Sequence, residues 1–85
     1  MPAAPEPDAN AKVVKRGPLP ESEQLVGILA ARIARGDWPA DTPLPAEKRL
    51  AQEYEVARNT VRKAIGQLVE QGLLYVIPRR GTYVA

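Results

Sequence analysis

Eighty-five residues carrying 12 Lys or Arg against 10 Asp or Glu, a formal net charge of +2, allow one small domain with a compact core. The chain has neither cysteine nor histidine, which excludes disulfides, zinc fingers, thiol nucleophiles and histidine acid–base catalysis. No apolar run approaches the ~20 residues of a membrane span, and the start of the chain lacks a secretion signal's charged-then-apolar pattern, so a cytoplasmic protein with no membrane partner is expected.

The chain opens with MPAAPEPDANAKVVKR, rich in Ala and Pro, with two adjacent β-branched residues and no helical or strand period. Residues 1–17 are therefore expected to form a disordered tail, and 18–85 the folded domain. Gly17-Pro18-Leu19-Pro20 breaks the chain before the first helix, Glu21 to Arg35, in which Leu25, Leu29 and Ile33 repeat every four residues and Val26 and Ile28 widen the apolar face. Glu21 and Glu23 suit its positive end, Arg32 and Arg35 its negative end, and Gly36 its stop. Gly27 costs that helix ~1 kcal/mol relative to Ala; it marks a close crossing or is simply tolerated. Asp37 to Pro45, with three prolines in nine residues, predicts an irregular connection in which Trp38 lids one end of the core in preference to a binding role.

Ala46 to Tyr54 predicts a short helix with Leu50, Ala51 and Tyr54 inward and Glu47, Lys48, Arg49, Gln52 and Glu53 outside. After a turn at Glu55-Val56-Ala57, the stretch up to Gln71 carries Val61, Ala64, Ile65, Leu68 and Val69 at i, i+3, i+4, i+7 and i+8, a continuous stripe that needs a core. Arg58, Asn59, Arg62 and Lys63 crowd its first two turns, where orphan backbone N–H groups and the helix dipole already favour an anion. Gly72 supplies its stop. A short helix, a tight turn and a second helix with a basic leading end make a helix-turn-helix, whose second helix enters the DNA major groove; such helix pairs also serve as plain scaffolding.

Beyond Gly72 the period shifts toward two, and β-branched and aromatic residues flank Pro78-Arg79-Arg80-Gly81, which predicts a hairpin over 73–84. A hairpin in that place is a wing, with Arg79 and Arg80 at its tip shaped for a minor groove or its phosphates. The charge agrees with this placement: residues 1–16 carry a net +1, 17–43 a net −2, and 44–85 a net +3. Lys12, Lys15 and Arg16 serve either to keep the tail soluble or as an arm along a DNA backbone. The predicted architecture is mainly α with a small β-hairpin, a winged helix-turn-helix.

The segment LPAEKRLAQEYEVARNTVRKAIGQLVEQGLLYVIPRRGTYV closely resembles the N-terminal DNA-binding domain of the GntR family of bacterial transcription regulators, over about residues 18–84. The resemblance rests on Leu44-Pro45-Ala46-Glu47, Leu50-Ala51, Val56-x-Arg58-x-Thr60-Val61-Arg62-x-Ala64, Gly72-Leu73-Leu74 and Arg80-Gly81-Thr82-Tyr83-Val84 taken together. It implies sequence-specific binding of double-stranded DNA in transcriptional regulation, most often repression, with the recognition helix about 58–71 in the major groove and the wing about 73–84 at the minor groove. No cofactor and no enzymatic activity are implied, and no nucleophile–base pair or phosphate-cradling glycine loop stands in the sequence.

By that resemblance Lys48 is a DNA-touching cation of the second helix, and Arg58 reaches guanine edges, where two guanidinium N–H groups can pair with O6 and N7 at once. Asn59 occupies a variable position suited to adenine or phosphate, Thr60 and Arg62 contact backbone or a nearby base, and Gly81 lets the wing approach the groove. Chemistry alone adds Arg49, Lys63, Arg79 and Arg80. Four positions depart from the family's habit: Ala46 and Ala57 replace the usual capping Ser or Thr, Ser22 a Tyr, and Ala40 a Gly. The family usually continues into a C-terminal effector-binding, dimerising domain, whereas this sequence ends at Ala85. Two copies are expected on an inverted-repeat operator, and a monomer or weak dimer off DNA, because no apolar face is spare. The reading from a different class is a winged-helix module whose arginines meet an acidic protein.

Overall fold

The apolar stripes close on one core. In the computed structural model, which describes residues 9–85, α1 (Glu21–Arg35), α2 (Glu47–Tyr54) and α3 (Arg58–Glu70) precede an antiparallel hairpin of β1 (Leu74–Ile77) and β2 (Gly81–Val84). Helix α3 packs on both α1 and α2 and hands the chain to β1. Leu25 and Leu29 of α1, Leu50 and Ala51 of α2, and Val61, Ala64, Ile65 and Leu68 of α3 are buried together with Leu74 and Val84 of the hairpin. This mainly helical fold with a two-stranded wing is the architecture expected.

Each helix ends in the same way. Gly36 N–H donates to Ile33 O and Asp37 N–H to Arg32 O; Glu55 to Gln52 O and Val56 to Ala51 O; Gly72 to Val69 O and Leu73 to Leu68 O. These are paired Schellman bonds, which need a left-handed residue in the middle. Gly36 and Gly72 supply it at φ 88° and 79°, whereas Glu55 adopts φ 55° as a non-glycine. Helix starts are less well served: Pro20, Ala46 and Ala57 stand at the N-caps and none gives a side-chain cap bond.

The hairpin pairs Leu74 with Val84, Tyr75 with Tyr83, Val76 with Thr82 and Ile77 with Gly81. Its register turns Leu74 and Val84 to the core and stacks Tyr75 on Tyr83, ring centroids 5.7 Å apart. At the tip, Arg80 N–H donates to Ile77 O, with Pro78 at the first corner and Arg79 at φ 67°, the pattern of a type II turn whose second corner usually takes Gly or Asn.

The proline-rich connection is more ordered than its composition suggests. It runs along the free edge of β2: Val84 N–H donates to Thr42 O (3.0 Å), Leu44 N–H to Thr82 O (2.9 Å) and Asp41 N–H to Val84 O (2.7 Å), with a bridge of Pro43 to Tyr83. Pro43 lies at a non-hydrogen-bonded antiparallel pair, where its missing N–H costs no ladder bond. Trp38 packs partly buried against the core, and the Arg32 guanidinium lies 4.3 Å over its ring.

Of the segment expected as a tail, residues 1–8 lie outside the described residues. Within the remainder, Val13 packs against the core, Val14 exchanges two hydrogen bonds with the Gln24 side chain (2.7 and 3.0 Å), and Lys15 pairs with Glu21 at 2.8 Å and donates to Glu55 O.

Candidate nucleic-acid interface

Burial of the α3 stripe dictates what faces outward. With Val61, Ala64, Ile65 and Leu68 inside, Arg58, Asn59, Arg62 and Lys63 are all exposed, and Thr60 is half-buried. Helix α3 begins at Arg58 with no side chain capping it, so its first N–H groups and the positive end of its dipole are open to an anion. Lys48 and Arg49 project from the first turn of α2 and are exposed, as are Arg79, Arg80 and Gly81 on the wing. Arg80 and Gly81 line a depression of about 350 Å³ together with Pro45, Ala46, Glu47 and Ile65, which brings the wing tip beside the start of α2.

Salt bridges tie down some of the cations and leave others without a carboxylate. Away from this face, Arg32 Nε bonds Asp37 at 2.8 Å and Arg32 Nη1 bonds Glu53 at 2.6 Å, Arg35 Nε bonds Asp37 at 2.7 Å, and Lys15 pairs with Glu21. Burial works against the charge on Arg32, yet the hydrogen bonds it donates to Asp37, Tyr54 and Glu53 raise its pKa above the ordinary arginine value. The guanidiniums of Arg35 and Arg32 hold the Asp37 carboxyl well below the usual carboxylate range. On the outward face, among the described residues, the side chains of Lys48, Arg49, Lys63, Arg79 and Arg80 have no hydrogen-bonding or ion-pair partner. Cations left unsatisfied on one side of a protein make a field that attracts a polyanion.

One carboxylate interrupts that field. Glu47, the first residue of α2, accepts from Arg62 Nε at Oε2 (3.3 Å) and from Arg62 Nη2 at Oε1 (3.2 Å), a two-pronged pair. Its Oε1 also lies 3.7 Å from Arg58 Nη2. Hydrogen bonding to Glu47 raises the Arg62 pKa. The sequence placed Glu47 simply on the outside of α2. What it missed is that the turn at 55–57 folds the start of α2 back against the start of α3, so that residues 15 apart meet; the available signal was an acid at the first position of a helix preceding an arginine-rich one.

A three-helix core, a helix-turn-helix with its second helix exposed along a basic face, and a two-stranded wing beside it define the protein as a winged helix-turn-helix domain. Residues 21–84 match the family of bacterial regulatory proteins known as the gntR family, and the chain belongs to that family. It is 39% identical over 71 residues to the HTH-type transcriptional repressor NagR of Bacillus subtilis, matching 84% of this chain and 29% of NagR. It is 43% identical over 68 residues to MngR, the mannosyl-D-glycerate transport/metabolism system repressor of Escherichia coli, matching 80% of this chain and 28% of MngR. The chain therefore spans under a third of the length of these relatives. Among solved structures it is similar to the AraR DNA-binding domain in complex with operator ORX1, at a TM-score of 0.78 and 40% identity, covering 87% of this chain and 95% of that one. YtrA from Sulfolobus acidocaldarius, a GntR-family transcription factor, gives a TM-score of 0.76 at 28% identity, covering 87% and 79%.

Proposed function

We propose that this chain reads double-stranded DNA by sequence as the DNA-binding part of a bacterial transcription regulator, a repressor, working in the cytoplasm and without a catalytic step of its own. The observation that carries this is the run of exposed cations on α2, α3 and the wing: the side chains of Lys48, Arg49, Lys63, Arg79 and Arg80 have no ion-pair partner among the described residues, while Lys15, Arg32 and Arg35 are tied to carboxylates. The likeness to the AraR DNA-binding domain in complex with its operator supports duplex DNA as the ligand. In this reading residues 18–85 are the winged helix-turn-helix domain and 1–17 an appended tail.

The roles divide by chemistry. Arg58, with Asn59, reads base edges in the major groove; Lys48, Arg49 and Lys63 hold phosphates; Thr60 and Arg62 contact the backbone or a nearby base; Arg79, Arg80 and Gly81 bring the wing to the minor groove. Two copies sit on an inverted-repeat operator. The test is selection of binding sites from random duplex DNA with the 85-residue chain, followed by comparison of the selected duplex with its scramble at two salt concentrations. An enriched inverted repeat whose preference over scramble survives the higher salt is expected. No enriched motif, with binding that vanishes in salt, would overturn the reading.

A further inference from the structure

A face built to hold phosphates gains nothing from a carboxylate in its middle, yet Glu47 stands between Arg58 and Arg62. It is held there from both sides. Its place at the first residue of α2 puts its charge at the positive end of that helix dipole, and its side chain is 28% exposed against 61% for Arg58 and 65% for Arg62. The two oxygens engage Nε and Nη2 of Arg62 together, which fixes the guanidinium plane and leaves Nη1 and the outer Nη2 hydrogen directed away from the carboxylate. Arg58, at 3.7 Å from a single oxygen, is attracted without being bonded and keeps its full set of donors.

The geometry points to Glu47 as a positioning residue that raises discrimination between sequences at the expense of overall affinity, an inference that rests on the DNA-binding reading above. Two effects act in the same direction. Any duplex meets the Glu47 charge, so binding driven by phosphates alone is weakened throughout. Only a site whose acceptors fall where the oriented Arg62 edge and the unbonded Arg58 already point recovers the difference, because planar, two-pronged recognition depends on the plane being set beforehand. Glu47 thus acts through the two arginines, and its own contact with a base is not required.

Two variants separate orientation from charge. Glu47→Gln removes the charge and sets an amide N–H against an arginine N–H; Glu47→Asp keeps the charge at the helix terminus but is one methylene short of the two-pronged pair. With the duplex selected by the unaltered chain and its scramble as probes, Glu47→Gln should bind scramble more tightly, with a salt slope steeper by about one. Its operator-to-scramble ratio should fall about fivefold or more. Glu47→Asp should show the same fall in ratio with the original salt slope. In an Arg62→Ala background the ratio should no longer respond to Glu47→Gln. Thermal melts establish that equal folded fractions are compared, and loss of the Arg62 Nε–H resonance from the NMR spectra of both variants reports the broken pair without reference to DNA. A ratio unchanged in both folded variants, while the unaltered chain remains selective, overturns the inference; an unaltered chain that does not discriminate overturns the DNA-binding reading itself.

Discussion

Arg58 and Lys63 carry the same charge on the same helix, but their chemistry assigns them different work. A guanidinium presents a planar fork that matches two acceptors on guanine, whereas an ammonium is a point charge suited to phosphate. Arg58→Ala should therefore cost about 1–3 kcal/mol on the preferred duplex and relax the preference at one base position, while Lys63→Ala should weaken all sequences alike and reduce the salt slope by about one. Competition binding against single-base variants of the operator distinguishes the two; unchanged preference in Arg58→Ala would refute the base-reading role. Elsewhere on the domain, Asp37 accepts from both Arg35 and Arg32, and those guanidiniums depress its pKa. A depressed carboxyl binds fewer protons folded than unfolded, so its contribution is complete above the unfolded value of ~3.9 and is lost as pH falls toward the folded one. Melting curves should show the unaltered chain losing more stability between about pH 5 and pH 2 than Asp37→Asn does. At this scale most of the exposed cations were legible from spacing, because a buried stripe at 61, 64, 65 and 68 turns 59, 62 and 63 outward, while Arg58 stands at the first position of the helix. The Glu47–Arg62 pair was not, since it depends on how closely two helices meet across a turn.

At the scale of the elements, the helices end better than they begin. Three Schellman endings satisfy the last carbonyls, but Ala46 and Ala57 occupy N-caps with φ −60° and −67° and ψ near 150°, the extended geometry from which a serine oxygen reaches the N–H groups of the first turn. Ala46→Ser and Ala57→Ser should each stabilise the domain by about 0.5–2 kcal/mol. Gly66 is exposed inside α3, and a Cβ there would meet nothing within 4 Å, so Gly66→Ala should add about 1 kcal/mol. For a domain of this size each kcal/mol corresponds to roughly 4–8 °C in melting temperature; a fall in any of the three would contradict the cap and propensity argument. The missing caps were readable as Ala where a capping side chain is usual. The third lane of backbone bonding along β2 was not readable, because Thr42 and Leu44 find their partners about 40 residues later in the chain and three prolines signal irregularity to any local rule. Proline excludes only the bond that it would itself donate, and Pro43 lies where none is needed.

For the molecule as a whole, the question is whether two copies meet before or on DNA. A stable association buries about 1,200–2,000 Å² with an apolar centre. Among the described residues, the large apolar side chains left exposed are Val14, Leu19 and Val76, two in the segment before α1 and one on the wing. Such isolated side chains do not form an apolar patch of interface size. The cations on the outer face would also repel their counterparts in a second copy until phosphates lay between them. Sedimentation of the 85-residue chain at micromolar concentration should therefore give a monomer or a weak dimer, a single half-site should bind one copy, and the full inverted repeat should bind two. A dimer that persists on dilution in the absence of DNA would require an apolar surface that the described residues do not supply, and would move the origin of paired binding from the DNA to the protein. In the expected case the spacing of half-sites is measured by the duplex, and the domain contributes selectivity through the few side chains of one helix and one wing.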